Sequence, residues 1–364
     1  MNWLMDMFTV LAVTIRKIET KRKQGVTISY KTGRYALLPF RLTLYLCSMA
    51  QIGTDIQLAK GFLDDGHVVG IPTETVYGLA GNALNPEAVL TIFQVKNRPS
   101  FDPLIIHTDS LEKIDQFVTS TPELAFLLAN AFWPGPLTLL LPKRDLIPDL
   151  VTAGLPSVAV RIPNHSITLD LLRSLDYPLA APSANLFGYI SPTTAQHVAD
   201  QLGSQIPYIL DGGPADVGIE STIVGIEDNE VTVFRLGGIA LDQLEEVIGP
   251  VSVRTYSTSN PKAPGMLSSH YAPRKPLILL SSGETPPAGE RVGALVFQEV
   301  FSELRPEYQR ILSSTGNLNE AAKNLFAHLR ILDTLPITVI YAEVLPNKGL
   351  GRAINDRLQR ASVR

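Results

Sequence analysis

The chain has 364 residues, enough for about two domains, with 45% hydrophobic and 18% charged residues and a formal net charge of -4. This is ordinary for a globular protein with a sizeable core, and it excludes a global basic field that would draw the chain onto nucleic acid. One cysteine, Cys47, excludes a disulfide framework and a Cys-based zinc site, and fits a reducing compartment.

Residues 1–50 differ from the rest: they are basic, with only Asp6 and Glu19 as acids. The run "WLMDMFTVLAVTI" is too short for a membrane helix and contains Asp6. Its positive charge follows the apolar run, the reverse of a signal peptide. We read residues 1–50 as an N-terminal extension, disordered or a non-native start upstream of Met49, with a processed or membrane-touching segment as the alternative. From Thr54 the pattern alternates strand and helix. "TDIQLAKGFLDDG" reads as a helix from a Thr cap to Gly66, and "HVVGIPT" as a short buried strand. "NPEAVLTIFQVK" has Asn85 as N-cap and Pro86 at the first helical position. Pro99 stops it. "PLIIHT" is a strand, and "TPELAFLLANAFWPG" a helix ending at Pro134-Gly135. "LTLLLPK", "SVAVRIP", "PLAAPS", "YILDGG", "STIVGIE" and "VTVFRLG" read as strands, with helices at 166–174, 193–202 and 241–248. This predicts an α/β domain over 51–250, a mixed sheet with helices packed on it. Residues 251–276 read as a polar linker. Residues 277–364 read as a smaller α/β unit, with a helix from Asn317 to Leu332 and a capping box of Asn317 and Glu320.

No common phosphate-loop, dinucleotide, zinc-protease or nucleophile-elbow motif is present. The positive signals are loops at strand ends. In "KNRPSFDPLIIH", Lys96 and Arg98 sit on a loop stiffened by Pro99 and Pro103. They read either as a polyphosphate clamp or as basic residues complementing a helix C-terminus. "IPTETVYGL" offers hydroxyls for a ligand or for local turns. "APSANLFGYISPTT" offers Ser183, Asn185 and Ser191 as neutral donors, or is a plain strand-to-helix loop. "DGGPADVGIESTIV" is glycine-rich and suits an anion nest. Arg161 and Arg235 interrupt apolar strands, and face either solvent or a cavity.

Taken in this order, "PTETVYGL", "KNRP…DPLIIH", "FWPGPLTLLL", "SVAVRIP", "APSAN…SPT", "DGG…GIESTIV" and "FRLGG" resemble the YrdC-like threonylcarbamoyl-AMP synthase family. "APGM…HYAP" and "GLGRAINDRLQRA" resemble its long, two-domain form. The resemblance implies a twisted mixed sheet around a deep cavity, followed by a smaller Rossmann-like domain. It implies synthesis of threonylcarbamoyl-adenylate from L-threonine, bicarbonate and ATP, with Mg²⁺ carried by the phosphates. A downstream tRNA threonylcarbamoyl-transferase complex would use the product in the cytoplasm, with tRNA contact indirect or weak. By resemblance Lys96, Arg98, Ser183 and Asn185 form the catalytic set. Arg98, Asp102, Ser157, Ser183, Ser191, Arg235 and Tyr271 contact ATP; Thr75, His107, Arg161, Ala181 and Ser221 surround threonine. Three features depart from the family pattern: Asp102 stands where Asn is usual, Asn97 where Gly is common, and the linker reads "GMLSSHYAP" where relatives often carry basic residues before His-Tyr. The competing readings are an RNA-binding module, a carbamoyl-adenylate enzyme of hydrogenase maturation, and an inactive regulatory homologue.

Overall fold

Helix starts and stops follow from capping chemistry in the computed structural model, which describes residues 49–227, 230–255, 263–266, 270–281 and 283–363. The extension read over residues 1–48 and parts of the linker lie outside the described residues. Helix Ile56–Asp64 is capped by Asp55, whose carboxylate accepts from the Gln57 and Leu58 amides. This corrects the expected Thr54 cap: the aspartate is the residue in register with the orphan amides. Helix Pro86–Lys96 has Asn85 as its cap and Pro86 at its first position, as expected. It ends at Asn97 in the left-handed conformation, with φ 51°. A short polar side chain tolerates that geometry, so Asn stands in for the common Gly.

Eleven strands form one sheet among the described residues. In chain order they are β1 (Gln51–Gly53), β2 (Val69–Ile71), β3 (Gly78–Asn82), β4 (Ile105–His107), β5 (Leu137–Pro142) and β6 (Ser157–Arg161). Then come β7 (Leu179–Ala180), β8 (Tyr208–Leu210), β9 (Thr222–Glu227), β10 (Glu230–Arg235) and β11 (Ser252–Val253). The spatial order is β1-β8-β2-β3-β7-β4-β6-β5-β9-β10-β11. Parallel and antiparallel pairs mix: β4 runs parallel to β6, while β5 runs antiparallel to β6 and parallel to β9. The central strands are near-continuous apolar runs because helices and loops cover both faces. Strand β11 is an addition to the expectation, since its two residues lie in the segment read as linker. It pairs with β10 through Ser252 and Val253.

The second sheet holds β12 (Leu277–Leu280), β13 (Val292–Val296), β14 (Gln309–Ile311) and β15 (Val339–Glu343), all parallel, in the order β12-β15-β13-β14. Helices Leu318–Thr334 and Gly351–Ser362 pack on it. Asn317 caps the first of them, but Glu320 does not reach back to the Asn317 amide. That amide donates to Ser313 Oγ, and the Ser313 hydroxyl donates to Glu320, so a serine closes the expected box. The apolar core of this unit, including Leu325, Phe326, Leu329, Ile354 and Leu358, is continuous with Val76, Ile190, Ile219 and Tyr271. The walls of the cavity and the smaller sheet therefore share one core.

Candidate functional site

Strand register assembles the site across the interior strands of the large sheet. His107 and Arg161 end β4 and β6 and stand side by side in the parallel ladder. Arg235 ends β10, and Ser221 stands just before the start of β9. Ala181 follows β7, its amide bonded to the Ile105 carbonyl at 3.0 Å. The Thr73–Val76 turn follows β2 and is tied by the Thr73 hydroxyl, which lies 2.8 Å from Thr75 Oγ1 and donates to the Val76 carbonyl at 2.6 Å. These groups line a concave site that is partly open to solvent.

Three buried guanidinium groups face this space: Arg98, Arg161 and Arg235. Each is held by the protein. Arg161 donates to the Gly135 carbonyl and to Thr75 Oγ1, and pairs with Glu74 Oε1 at 2.8 Å. Arg235 donates to the Ser221 carbonyl and hydroxyl, both at 2.9 Å. The Ser221 hydroxyl also lies 2.7 Å from Thr138 Oγ1. Arg98 donates to the Asp102 and Pro103 carbonyls and pairs with the Asp102 carboxylate at 2.9 Å. The strand arginines thus face a cavity rather than solvent. Burial lowers the Arg235 pKa to about 10, a measure of how far the cation is removed from water. Burial, with the Arg161 cation beside it, depresses His107 to about 3, so its imidazole is neutral at physiological pH.

Of the residues singled out from sequence, Thr75, Arg98, His107, Arg161, Ala181, Ser183, Ser221, Arg235 and Tyr271 line this cavity. The others stand behind or beside it. Lys96 is 1% exposed, and its ammonium donates to the carbonyls of Ser183 and Asn185. Burial pushes its pKa well below the ordinary lysine value, and repulsion from Arg98 adds to this. Asn185 donates to the Leu186 and Tyr189 carbonyls. Asp102 is buried against Arg98; burial raises its pKa and the Arg98 and Lys96 cations offset part of the rise. Ser191 donates to Glu220 at 2.5 Å. Ser157 begins β6, the end of the strand opposite Arg161.

Sequence reasoning passed over Glu74, Glu220, His270 and Arg357. Glu74 and Glu220 sit inside quoted motifs, next to Thr75 and Ser221, and a carboxylate beside an expected anion site was the available signal. Tyr271 and His270 come from the linker with Pro264 and Gly265 and line the cavity. Gly265 has φ +79°, and a Cβ there would meet Arg235 and the Tyr271 hydroxyl within about 3.3 Å, so only glycine fits.

Two family models match consecutive parts of the chain. One described as "telomere recombination" covers residues 61–237, and one described as "threonylcarbamoyl-AMP synthase, C-terminal domain" covers residues 239–363. The threonylcarbamoyl-AMP synthase of Pyrococcus abyssi is 40% identical over 84% of this chain and 94% of its own length. That of Bacillus subtilis is 41% identical over 84% of this chain and 92% of its own. The chain belongs to the threonylcarbamoyl-AMP synthase family. A relative of that name from Schizosaccharomyces pombe is 35% identical over 89% of this chain. The solved structure of P. abyssi Sua5 complexed with L-threonine superposes with a TM-score of 0.79 at 38% identity, over 86% of this chain and 97% of that one. The first model spans β2 to β10 and the second β11 to β15. Among the described residues no helix is long and apolar enough to cross a membrane.

Proposed function

We propose that the protein is a threonylcarbamoyl-AMP synthase, converting ATP, L-threonine and bicarbonate to L-threonylcarbamoyladenylate and pyrophosphate. The observation that carries this reading is the set of three buried arginines, Arg98, Arg161 and Arg235, facing one cavity in a chain of this family. The chemistry needs what they supply. Threonine's amine first captures bicarbonate as a carbamate, with loss of water. A carbamate oxygen then attacks the α-phosphate in line, and pyrophosphate leaves. Both reactants are anions, so repulsion is the main obstacle. Fixed cations and oriented neutral donors lower it, and no covalent protein nucleophile is required.

In this reading Arg98, Ser183, Ser191 and Arg235 serve the nucleotide, with Asp102, Ser157 and Tyr271 beside it. Thr75, His107, Arg161, the Ala181 backbone and Ser221 surround threonine. Neutral His107 offers a hydrogen bond without adding charge. Lys96 works through the loop it holds, fixing the Ser183–Asn185 turn by its two carbonyls. Asp102 adds no bare negative charge, because its carboxylate is ion-paired with Arg98 at 2.9 Å. In this reading ATP enters as its magnesium complex, with the ion carried on the phosphates. Release of the adenylate to a downstream tRNA threonylcarbamoyl-transferase complex, in the cytoplasm, belongs to the same proposal.

The test is pyrophosphate release from ATP by the purified chain with L-threonine and bicarbonate. Release that requires both co-substrates, and falls when serine replaces threonine, is expected. ATP binding without release under any of these conditions would overturn the reading in favour of a regulatory homologue.

A further inference from the structure

We propose that Arg357, on the last helix of the second domain, is a positioning residue for the nucleotide: it cancels the charge of Glu220 in the cavity wall and seats Tyr271 of the linker. The inference rests on the synthase reading above and deepens it.

Glu220 lines the cavity, is 6% exposed, and immediately precedes Ser221. A bare carboxylate there would oppose ATP and threonine alike, both of which carry negative charge. The structure neutralises it twice. One oxygen accepts from Ser191 Oγ at 2.5 Å and the other from Arg357 Nε at 2.9 Å. Burial pushes the Glu220 carboxyl up, but the Arg357 and Arg235 cations and the Ser191 bond outweigh it and hold it below the ordinary carboxylate value. It is therefore an anion at working pH, and its compensation comes from a residue 137 positions away in sequence.

Arg357 is 1% exposed, and its other contacts fix it as a hub. Its guanidinium lies 5.0 Å from the centre of the Tyr271 ring, and Nη1 donates to Asp356 at 2.9 Å. Tyr271 also stacks on Phe326 of helix Leu318–Thr334, with ring centroids 5.5 Å apart. Its backbone is left-handed, with φ 65°, a conformation that a bulky residue holds only when its surroundings impose it. The Asp356 carboxylate takes Arg360 Nε as well, and Arg360 donates to the Thr255 carbonyl at 2.6 Å. Arg360 also accepts from the His270 amide through its carbonyl. One turn of the last helix thus holds the linker at Thr255, at His270 and at Tyr271, and holds the cavity wall at Glu220. Glu220, Asp356, Arg357 and Arg360 sum to no net charge. Removing Arg357 alone would leave the Glu220 carboxylate without its ion-pair partner in the cavity wall, with only the Ser191 bond and the Arg235 field to offset its charge.

The test is ATP affinity of the full chain by titration calorimetry, with pyrophosphate release kinetics alongside, for Arg357→Met, Glu220→Gln and the double variant. Arg357→Met is expected to weaken ATP binding about tenfold or more, because it leaves a buried anion unpaired. Adding Glu220→Gln should restore affinity to within about threefold, since the amide keeps a partner for Ser191 without the charge. Arg357→Lys should keep ATP affinity better than Arg357→Met while lowering kcat, through lost stacking on Tyr271. The proposal is overturned if the double variant binds ATP no better than Arg357→Met while its thermal transition shows it folded. It is also overturned if Arg357→Met lowers thermal stability and leaves ATP affinity unchanged, which is the signature of a merely structural bridge. The binding series decides this even if the wild-type chain binds ATP and releases no pyrophosphate, which is the separate failure of the synthase reading.

Discussion

The two sheets bury arginines to similar depth and use them in opposite directions. In the large sheet Arg98, Arg161 and Arg235 are pinned by their own domain's carbonyls, hydroxyls and carboxylates, yet still line an open cavity. In the smaller unit Arg330, Arg357 and Arg360 sit on helices and point away from their own sheet, the first two onto the large domain and Arg360 onto Thr255 of the linker. Arg330 donates to the Ile190 and Ser191 carbonyls behind the Ser191 loop, and lies over the Tyr189 ring. Burial lowers both Arg235 and Arg330 to about 10. The desolvation is alike; the surroundings decide whether the cation meets a substrate or a neighbouring loop. The smaller unit acts on the cavity through charged helix faces rather than through a pocket of its own strands.

Lys96 offers the sharpest way to break this division, because it belongs to the large domain but behaves like the second group. Lys96→Met leaves the Asn185 carbonyl without its donor and the Ser183 carbonyl with only the Asn185 amide. Two hydrogen bonds from a buried amine are lost at about 1–3 kcal/mol each, so stability should fall by roughly 2–6 kcal/mol together with activity. Thermal melts read beside pyrophosphate release check it. Lost activity at an unchanged melting temperature would mean the amine acts on substrate directly.

Arg98→Ala is next in size. It should cost roughly 1.5–3 kcal/mol of ATP or transition-state stabilisation by loss of a charge-assisted contact. Wild-type turnover in this variant would remove Arg98 from the substrate-facing group.

Acid stability probes the same cavity without mutation. His107 is depressed to about 3 and His197 to about 4, both chiefly by burial. The unfolded chain binds a proton at each near its ordinary value of about 6.5. The folded state gains full benefit from these neutral imidazoles above that value, and loses it as pH falls through the window from about 6.5 toward the folded values. Buried His107 alone should cost roughly 2 kcal/mol by pH 5. Denaturant melts from pH 8 to pH 5 should show stability falling with acid. A flat profile would show that His107 reaches solvent.

The smallest effect is expected from Asp102→Asn, which restores the residue usual in the family. Arg98 keeps its two carbonyl contacts and loses one ion pair, so turnover should change by less than about tenfold, most of it in KM for ATP. A rise in activity well beyond that would show that Asp102 holds Arg98 away from its substrate.

The element order was largely legible in the sequence, because caps, prolines and apolar runs act over a few residues. Asn85 and Pro86 announce a helix start, and "LTLLL" and "SVAV" announce buried strands. The near misses are equally local: Asp55 rather than Thr54 caps the first described helix, and Ser313 closes the box expected of Asn317 and Glu320. The loops that meet at the cavity were visible as motifs, and family resemblance ordered them.

What the sequence could not decide is the direction in which a charge points. Nothing within "GRAINDRLQRA" says where its charges point, and in the fold Asp356, Arg357 and Arg360 are buried and face the cavity wall and linker. Lys96 and Arg98 are two residues apart, yet one turns into the backbone of a loop and the other lines the cavity. Local propensity determines where helices and strands begin and end. The partner of a buried charge is set by which distant groups share its desolvated space, and only the packed tertiary structure brings Glu220 and Arg357 together.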